Sequence, residues 1–369
     1  MPLAKRLDAE CPVFLTIDRS ECFTAQMRRV TLAPFLILAV VMVSATVAYA
    51  GFESTCTFDE ASARVEGTLV GDDNFLSRNG DAIALNDDTC MGATVYNTDT
   101  IVMTADELAD PNAELTIFLS PPSGPFAPGA TDEGGVSEIE IEVIFGDSGG
   151  DTLHVVAYEG AQRIAIRGPE IDLDSEDVFE TDVQVSGLGD CDAGSCDLLD
   201  VITGEGPDRL RQRPDDEGLI RLVFLSAGPG DDDIRAGTSA TSYTFANGEE
   251  GSDVLVTASA ARLGGGPGAD LVVGGASDDG SLYGNSGHDR IFGRGGNDVL
   301  NGADGPDVIV GGRGRDGLSG GPGDDRMWGG GGPDELAGGD GVDRCAPERG
   351  WTLAEQGCEQ RLEVPPPAL

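Results

Sequence analysis

Positive charge is scarce in this sequence. Lysine and arginine together number 23 residues against 66 aspartates and glutamates, so the formal net charge is −43. Because binding to a nucleic-acid backbone requires lysine and arginine to neutralise phosphates, this balance excludes nucleic acid as a partner. Aromatic residues are also few, at 5% of the chain. Such a composition is typical either of disorder or of carboxylates arranged for divalent cations, and the spacing of the acidic residues decides between the two.

Histidine is equally rare, since His154 and His288 are the only two. The sequence has no H-E-x-x-H metalloprotease motif and no C-x-x-C zinc pair. Residues 146–150 and 317–321 match the hydrolase pattern G-x-S-x-G. The first also resembles the nucleophile segment of chymotrypsin-like serine proteases, which require a histidine upstream, and none is present. Because no helical pattern follows Ser148, we expect no nucleophile elbow and predict that the protein is not an enzyme.

Residues 27–50 have the pattern of a secretory signal peptide. Two arginines follow Met27, an apolar segment runs from Val30 to Val43, and Ala48-Tyr49-Ala50 forms a cleavage site of the small-x-small type. A membrane anchor is the alternative, but the apolar segment is short and has no basic stop-transfer flank. We therefore predict a secreted or cell-surface protein that meets a membrane only during export. Residues 1–26 are predicted to be an extension upstream of the native start.

Six cysteines remain after the predicted cleavage. An even number of cysteines in a secreted chain indicates disulfides rather than metal thiolates, although the sequence alone allows several connectivities. Proximity along the chain favours the pairs Cys56–Cys90, Cys191–Cys196 and Cys345–Cys358.

Glycine is abundant, at 55 residues, and much of it follows a nine-residue period that begins at Gly265. The first unit reads GGPGADLVV, the second, at 274–283, is one residue longer, and later units begin at Gly284 and every ninth residue to Gly338. Aspartate occupies the sixth place of the units: Asp270, Asp279, Asp289, Asp298, Asp307, Asp316, Asp325, Asp334 and Asp343. Two residues after the aspartate, each unit has an apolar side chain that we expect to face the core. These residues are Val272, Ile291, Leu300, Ile309, Leu318, Met327, Leu336 and Cys345, with Leu282 in the longer unit.

This pattern resembles the haemolysin-type calcium-binding nonapeptide repeat of RTX proteins, G-G-x-G-x-D-x-U-x. The resemblance covers roughly residues 265–346 and implies a parallel β-roll that binds several Ca²⁺ ions, with the nine sixth-place aspartates as metal ligands. RTX proteins usually leave the cell through a dedicated exporter that reads a C-terminal signal. Since this chain has an N-terminal signal, that part of the family's behaviour does not transfer.

Stacking of the repeats brings like charges together, and a bound cation would relieve their repulsion. One unit cannot bury its apolar side chain alone, so units must stack. Stacking brings the sixth-place aspartates to about 5 Å from each other, where each like-charge pair costs roughly 3 kcal/mol at an effective dielectric of ~20. Calcium accepts six to eight hard oxygen ligands, which carboxylates and turn carbonyls supply. We therefore predict that calcium binding and folding of the roll are one event.

Degenerate copies of the unit recur upstream, at 146–154, 203–211, 227–235 and 248–256. Alternating strand-like runs lie between them and favour a solenoid over the alternative of an irregular β-sandwich. The predicted fold class is all-β: a parallel β-roll (β-solenoid) of nonapeptide repeats preceded by an irregular β-rich, solenoid-like region. The predicted regions are a β-rich part at 51–135, a degenerate-repeat part at 136–262, the roll at 263–346, and a cap and tail at 347–369.

These features favour a secreted calcium-binding repeat protein with a structural role at the cell surface or in the matrix. Calcium is the only partner that the sequence identifies. Two alternatives stay open. The first is a secreted hydrolase with its enzyme in residues 51–262 and the roll as a folding tail, and the second is a calcium-dependent adhesin.

Overall fold

The computed structural model shows an all-β chain. It describes residues 54–70, 74–79, 81–86, 88–98, 100–105, 113–118, 139–145, 151–159, 163–167, 170–172, 183–186, 191–192, 195–196, 198–212, 222–236, 243–346 and 354–362. The chain divides into two compact units, 1–51 and 52–369, and every described residue lies in the second. The predicted extension and signal peptide at 1–50 therefore lie outside the described residues. No described segment forms a helix with the length and hydropathy of a membrane span.

The strands are numbered in chain order. They are β1 Thr55–Asp59, β2 Arg64–Leu69, β3 Asn74–Asn79, β4 Ala82–Leu85, β5 Asp88–Thr94, β6 Thr100–Ala105, β7 Glu114–Phe118, β8 Glu140–Ile144, β9 Thr152–Glu159, β10 Arg163–Arg167, β11 Glu170–Asp172, β12 Val183–Ser186, β13 Cys191–Asp192, β14 Ser195–Cys196, β15 Leu198–Glu205 and β16 Arg209–Gln212. The second half contains β17 Leu222–Ser226, β18 Asp233–Ala236, β19 Tyr243–Asn247, β20 Val254–Thr257, β21 Ala261–Gly268, β22 Leu271–Val273, β23 Ser281–Gly287, β24 Arg290–Gly295, β25 Val299–Asp304, β26 Val308–Arg313, β27 Gly317–Pro322, β28 Arg326–Gly331, β29 Glu335–Asp340, β30 Arg344–Ala346, β31 Ala354–Gln356 and β32 Gln360–Arg361.

Two long sheets contain all of these strands except the β13–β14 pair. Sheet A has the order β1-β2-β6-β8-β12-β11-β10-β16-β18-β20-β22-β24-β26-β28-β30-β32. Sheet B has the order β31-β29-β27-β25-β23-β21-β19-β17-β15-β9-β7-β3-β4-β5. From β15 to β32 the chain alternates between the sheets, so each coil contributes one strand to either sheet and a nine-residue unit is half a coil. This arrangement confirms the predicted parallel roll.

The core of the roll consists of the apolar side chains at the eighth place of each unit. Successive strands pair in parallel with these residues in register, as in Ile291↔Ile309 and Leu300↔Leu318. Leu282 of the longer unit lies in the same register, opposite Leu300. Inward side chains of both sheets form one buried cluster. Because each buried Leu or Ile contributes roughly 1.5–3 kcal/mol only when a neighbouring coil covers it, the units are stable as a stack and not singly.

The N-terminal end of the solenoid is closed by antiparallel strands rather than by further repeats. Strand β1 pairs antiparallel with β2, and β3, β4 and β5 form an antiparallel meander. The predicted Cys56–Cys90 disulfide is confirmed, and it joins β1 of sheet A to β5 of sheet B. Irregular pairing at this end covers the last buried coil, which an open repeat would expose.

The predicted Cys345–Cys358 disulfide is also confirmed, at the C-terminal end. Cys345 takes the core position of the final unit, and the bridge holds β32 beside β30. Cys191 lies opposite Cys196 across the short β13–β14 pair. Since only the backbone of that pair is described, the Cys191–Cys196 bond stays a prediction.

Candidate metal centre along the turns

The nine predicted aspartates lie in two rows, each immediately before the strands of one sheet. The long row precedes strands of sheet A and consists of Asp208, Asp232, Asp253, Asp270, Asp289, Asp307, Asp325 and Asp343. The short row precedes strands of sheet B and consists of Asp279, Asp298, Asp316 and Asp334. Within each row the backbone N–H of one aspartate donates to Oδ1 of the aspartate one coil later, at 2.6–3.0 Å. The structure therefore brings all nine into two continuous ladders.

The second carboxylate oxygen of most of these residues is buried and has no hydrogen-bond partner. This holds for Oδ2 of Asp232, Asp253, Asp270, Asp289, Asp298, Asp307, Asp316, Asp325 and Asp343. Leaving a charged oxygen buried without a partner is costly, so such atoms require a cation, a proton or water. Seven of these atoms lie in the long row and two in the short row, and each row offers a line of oxygen atoms that suits bound cations.

Asp279 differs from the other predicted ligands. Its Oδ2 accepts a hydrogen bond from the backbone N–H of Gly275 at 2.9 Å. This contact arises in the longer second unit, where the turn folds back onto its own carboxylate. Asp279 is therefore the least available of the nine for a cation.

Glycine makes room for the carboxylates and carbonyls of the turns. A Cβ on Gly302, the first residue of its unit, would lie 2.2 Å from Oδ2 of Asp307. A Cβ on Gly287, the fourth residue, would lie 1.4 Å from the carbonyl oxygen of Gly268, and Gly287 has φ +144°. The absence of side chains at these two places lets carboxylate and carbonyl oxygens crowd together. Calcium binds to such hard oxygen ligands.

Burial dominates the protonation behaviour of the rows. Removal from water, together with the charge of neighbouring carboxylates, raises the pKa of Asp253, Asp270 and Asp307 to about 7, although a backbone N–H donor opposes these two effects. For Asp316 and Asp325 the same causes raise the pKa to about 6. The charged form is thus disfavoured until an opposite charge arrives.

The donor set indicates the kind of cation. Among the described residues, no three or more His, Cys, Asp or Glu side chains converge on one position that could hold a metal. A cation in either row would therefore take a small number of carboxylates and complete its shell with backbone carbonyls. Zinc and other transition metals favour thiolate and imidazole ligands, whereas all-oxygen shells of this composition suit calcium.

Glu359 extends the long row of aspartates, although the repeat pattern in the sequence does not include it. The backbone N–H of Asp343 donates to Oε2 of Glu359 at 2.8 Å, and β30 pairs with β32 so that Arg344 lies opposite Gln360. Glu359 thus occupies the next step of the long row, held there by the Cys345–Cys358 disulfide. The segment before it keeps Gly357 at the fourth place but has Ala354 and Glu355 where the repeat has its first two glycines, so the nine-residue pattern does not mark it.

The catalytic candidates lie apart from the rows. Ser148 lies outside the described residues, whereas Ser319 is in the middle of strand β27 and follows no strand-to-helix turn. His154 lies between two carboxylates: Nδ1 is 3.0 Å from Oδ2 of Asp200, and Nε2 is 3.2 Å from Oε1 of Glu114. Burial lowers the pKa of His154, but the two carboxylates outweigh burial and raise it above its ordinary value. His288 is exposed beside Asp289.

Comparison with known proteins agrees with this geometry. A family model described as the RTX calcium-binding nonapeptide repeat (four copies) matches residues 283–318 and 319–350. A search of curated proteins finds no match. The matched residues contain most of strand β23, strands β24 to β30 and the turns between them. The C-terminal part of this chain is therefore an array of RTX calcium-binding nonapeptide repeats.

Proposed function

We propose that this protein is a secreted, non-enzymatic calcium-binding protein whose roll folds as calcium fills the aspartate rows. The observation that carries the proposal is the two rows of aspartates whose buried Oδ2 atoms have no hydrogen-bond partner. In the roll these belong to Asp270, Asp289, Asp298, Asp307, Asp316, Asp325 and Asp343, with Asp279 and Asp334 in the same rows. Bound calcium would neutralise the carboxylates and draw together turns that otherwise repel each other.

The two disulfides support an extracellular site of action. The disulfides Cys56–Cys90 and Cys345–Cys358 need an oxidising compartment to persist. Extracellular calcium modules bind in the range of about 10⁻⁴–10⁻³ M. A chain of this kind would stay loose at low calcium before export and fold after it, with a structural role at the cell surface or in the matrix.

The environments of the two histidines support a non-enzymatic role. Both ring nitrogens of His154 face carboxylates, so neither is directed at a serine hydroxyl among the described residues. The alternative function is a secreted hydrolase, and an activity assay distinguishes it from the proposed role. Turnover of ester or peptide substrates that disappears in a Ser148→Ala variant would replace the present proposal.

Calcium binding itself is measured by isothermal titration of the chain from Gly51 onward. We expect several ions per chain to bind at roughly 10⁻⁴–10⁻³ M, and magnesium to bind much more weakly because it demands a compact octahedral shell. The matched variant Asp307→Asn should bind fewer ions than the wild-type chain. The absence of calcium binding at 10⁻² M, roughly ten times the weak end of that range, would refute the proposal.

A further inference from the structure

The long row of aspartates continues beyond the repeat array. Asp208, Asp232 and Asp253 lie N-terminal to the predicted roll and outside the residues that match the RTX family model. Their contacts nevertheless repeat those of the array. The N–H of Asp232 donates to Oδ1 of Asp253 at 2.8 Å, and the N–H of Asp253 donates to Oδ1 of Asp270 at 2.8 Å. The ladder therefore crosses the boundary of the array without a break.

The turns that present these aspartates have the same backbone arrangement as the repeat turns. Gly230 N–H donates to the carbonyl of Glu250 at 2.7 Å, and Gly251 N–H donates to that of Pro267 at 3.0 Å. Within the array, Gly305 N–H donates to the carbonyl of Pro322 at 2.8 Å. A Cβ on Gly251 would lie 1.4 Å from the Gly230 carbonyl oxygen, the same distance that separates a Cβ on Gly287 from its neighbouring carbonyl. Carbonyl oxygens are therefore stacked in the same way in both regions.

The upstream coils keep this turn although their length varies. Asp208 and Asp232 are 24 residues apart and Asp232 and Asp253 are 21 apart, against 18 between Asp289 and Asp307. The opposite edge is different, because Ala261 N–H donates to Oδ1 of Asp279 and both Ala261 and the preceding residue, Ala260, lack a carboxylate. Among the described residues, only the edge next to sheet A extends the row of carboxylates upstream.

The buried oxygens of these turns point to a ligand. Asp232 is 2% exposed and Asp253 is 1% exposed, and Oδ2 of each has no hydrogen-bond partner. We propose that divalent cations, calcium by the chemistry of the donors, also bind at the upstream turns between Asp208, Asp232, Asp253 and Asp270. This inference rests on the proposed calcium binding of the array and extends it to turns that the repeat pattern does not identify. Calcium would then order the described upstream coils, at 203–212, 222–236 and 243–256, together with the roll.

The test compares two double variants of the full mature chain. Asp232→Asn with Asp253→Asn removes the buried charges of the upstream turns. Asp231→Asn with Glu250→Gln removes two charges from neighbouring exposed positions and serves as the matched control. Calcium titration by calorimetry gives the number of ions per chain. Hydrogen–deuterium exchange with mass spectrometry follows the protection of peptides within 203–256 and, separately, of peptides within 284–346.

We expect the buried double variant to bind at least two ions fewer than the wild-type chain and the control to bind the same number. Calcium should protect the 203–256 peptides in the wild type and the control, and lose that effect in the buried variant while 284–346 stays protected. Unchanged stoichiometry in the buried variant would overturn the inference and leave the proposed function intact. Absence of binding in the wild-type chain would instead overturn the proposed function. A buried variant that loses protection at 284–346 as well would also contradict the inference, since the effect would not be local.

Discussion

A Gly287→Ala substitution should destabilise the roll by more than about 4 kcal/mol. Gly287 has φ +144°, which a residue with a side chain rarely adopts, and its added Cβ would lie 1.4 Å from the carbonyl oxygen of Gly268. The neighbouring atom is backbone and belongs to strand β21, which is fixed by parallel pairing with β19 on one side and β23 on the other, so it has no room to move away. Relief would require separation of two coils and loss of their buried Leu contacts.

The matched control for this variant is Gly317→Ala, also in the roll. No atom lies within 4 Å of a Cβ built at Gly317, and no positive φ occurs there. We expect its stability to change by no more than about 0.5 kcal/mol. Denaturant unfolding of both variants at saturating calcium, followed by circular dichroism, makes the comparison. Equal midpoints for Gly287→Ala and Gly317→Ala would contradict the stacking of turns described above.

Acid should partly replace calcium in the fold of the roll. Burial raises the pKa of Asp298 and Asp307 to about 7 in the folded chain, from an ordinary value of 3.8. A folded state with raised aspartate pKa values binds more protons than the unfolded state. Its contribution to stability is therefore complete below pH ~4 and is lost as pH rises to about 7. Metal-free protein should be largely unfolded at pH 7.5 and should gain β structure near pH 5.

Calcium and protons compete for the same oxygens, so the apparent Kd for calcium should rise at least about tenfold between pH 7.5 and pH 5.5. An Asp307→Asn, Asp325→Asn variant provides the control, because the amide mimics the protonated acid at every pH. We expect this variant to be more stable than the wild type without calcium at pH 7.5, and to bind calcium more weakly. Circular dichroism of dialysed, metal-free protein from pH 4.5 to 7.5 measures the first effect. A signal that does not change over that range would contradict the role of the buried carboxylates.

The repeat was predictable from the sequence because its constraints are local and strict. A turn that stacks carbonyls at close range admits only glycine at Gly287, and an inward position between two sheets admits only an apolar residue such as Ile291. These requirements recur in each half-coil, so they appear in the sequence as a period of nine. The alternation of strands between two sheets follows from the same period, since two units complete one coil.

Contacts that depend on how one coil pairs with the next were not predictable from the repeat period. Glu359 joins the long row because a disulfide and a strand pairing hold it there. The disulfide was predictable from the cysteines, but the strand pairing that sets Glu359 opposite Asp343 follows no repeat pattern. Asp279 matches the repeat, yet its carboxylate bonds to Gly275 within its own lengthened unit. The upstream aspartates Asp232 and Asp253 were recognisable as degenerate copies, but their place in the ladder requires the observed pairing of coils.

The central claim is that calcium binding and folding of the roll are one event. Far-UV circular dichroism of the mature chain from Gly51, titrated with calcium at pH 7.5 and then with EGTA, tests it most directly. We predict a reversible gain of β signal centred near millimolar calcium and its loss when the chelator is added. A spectrum that is already rich in β structure and does not change with calcium or EGTA would contradict the claim.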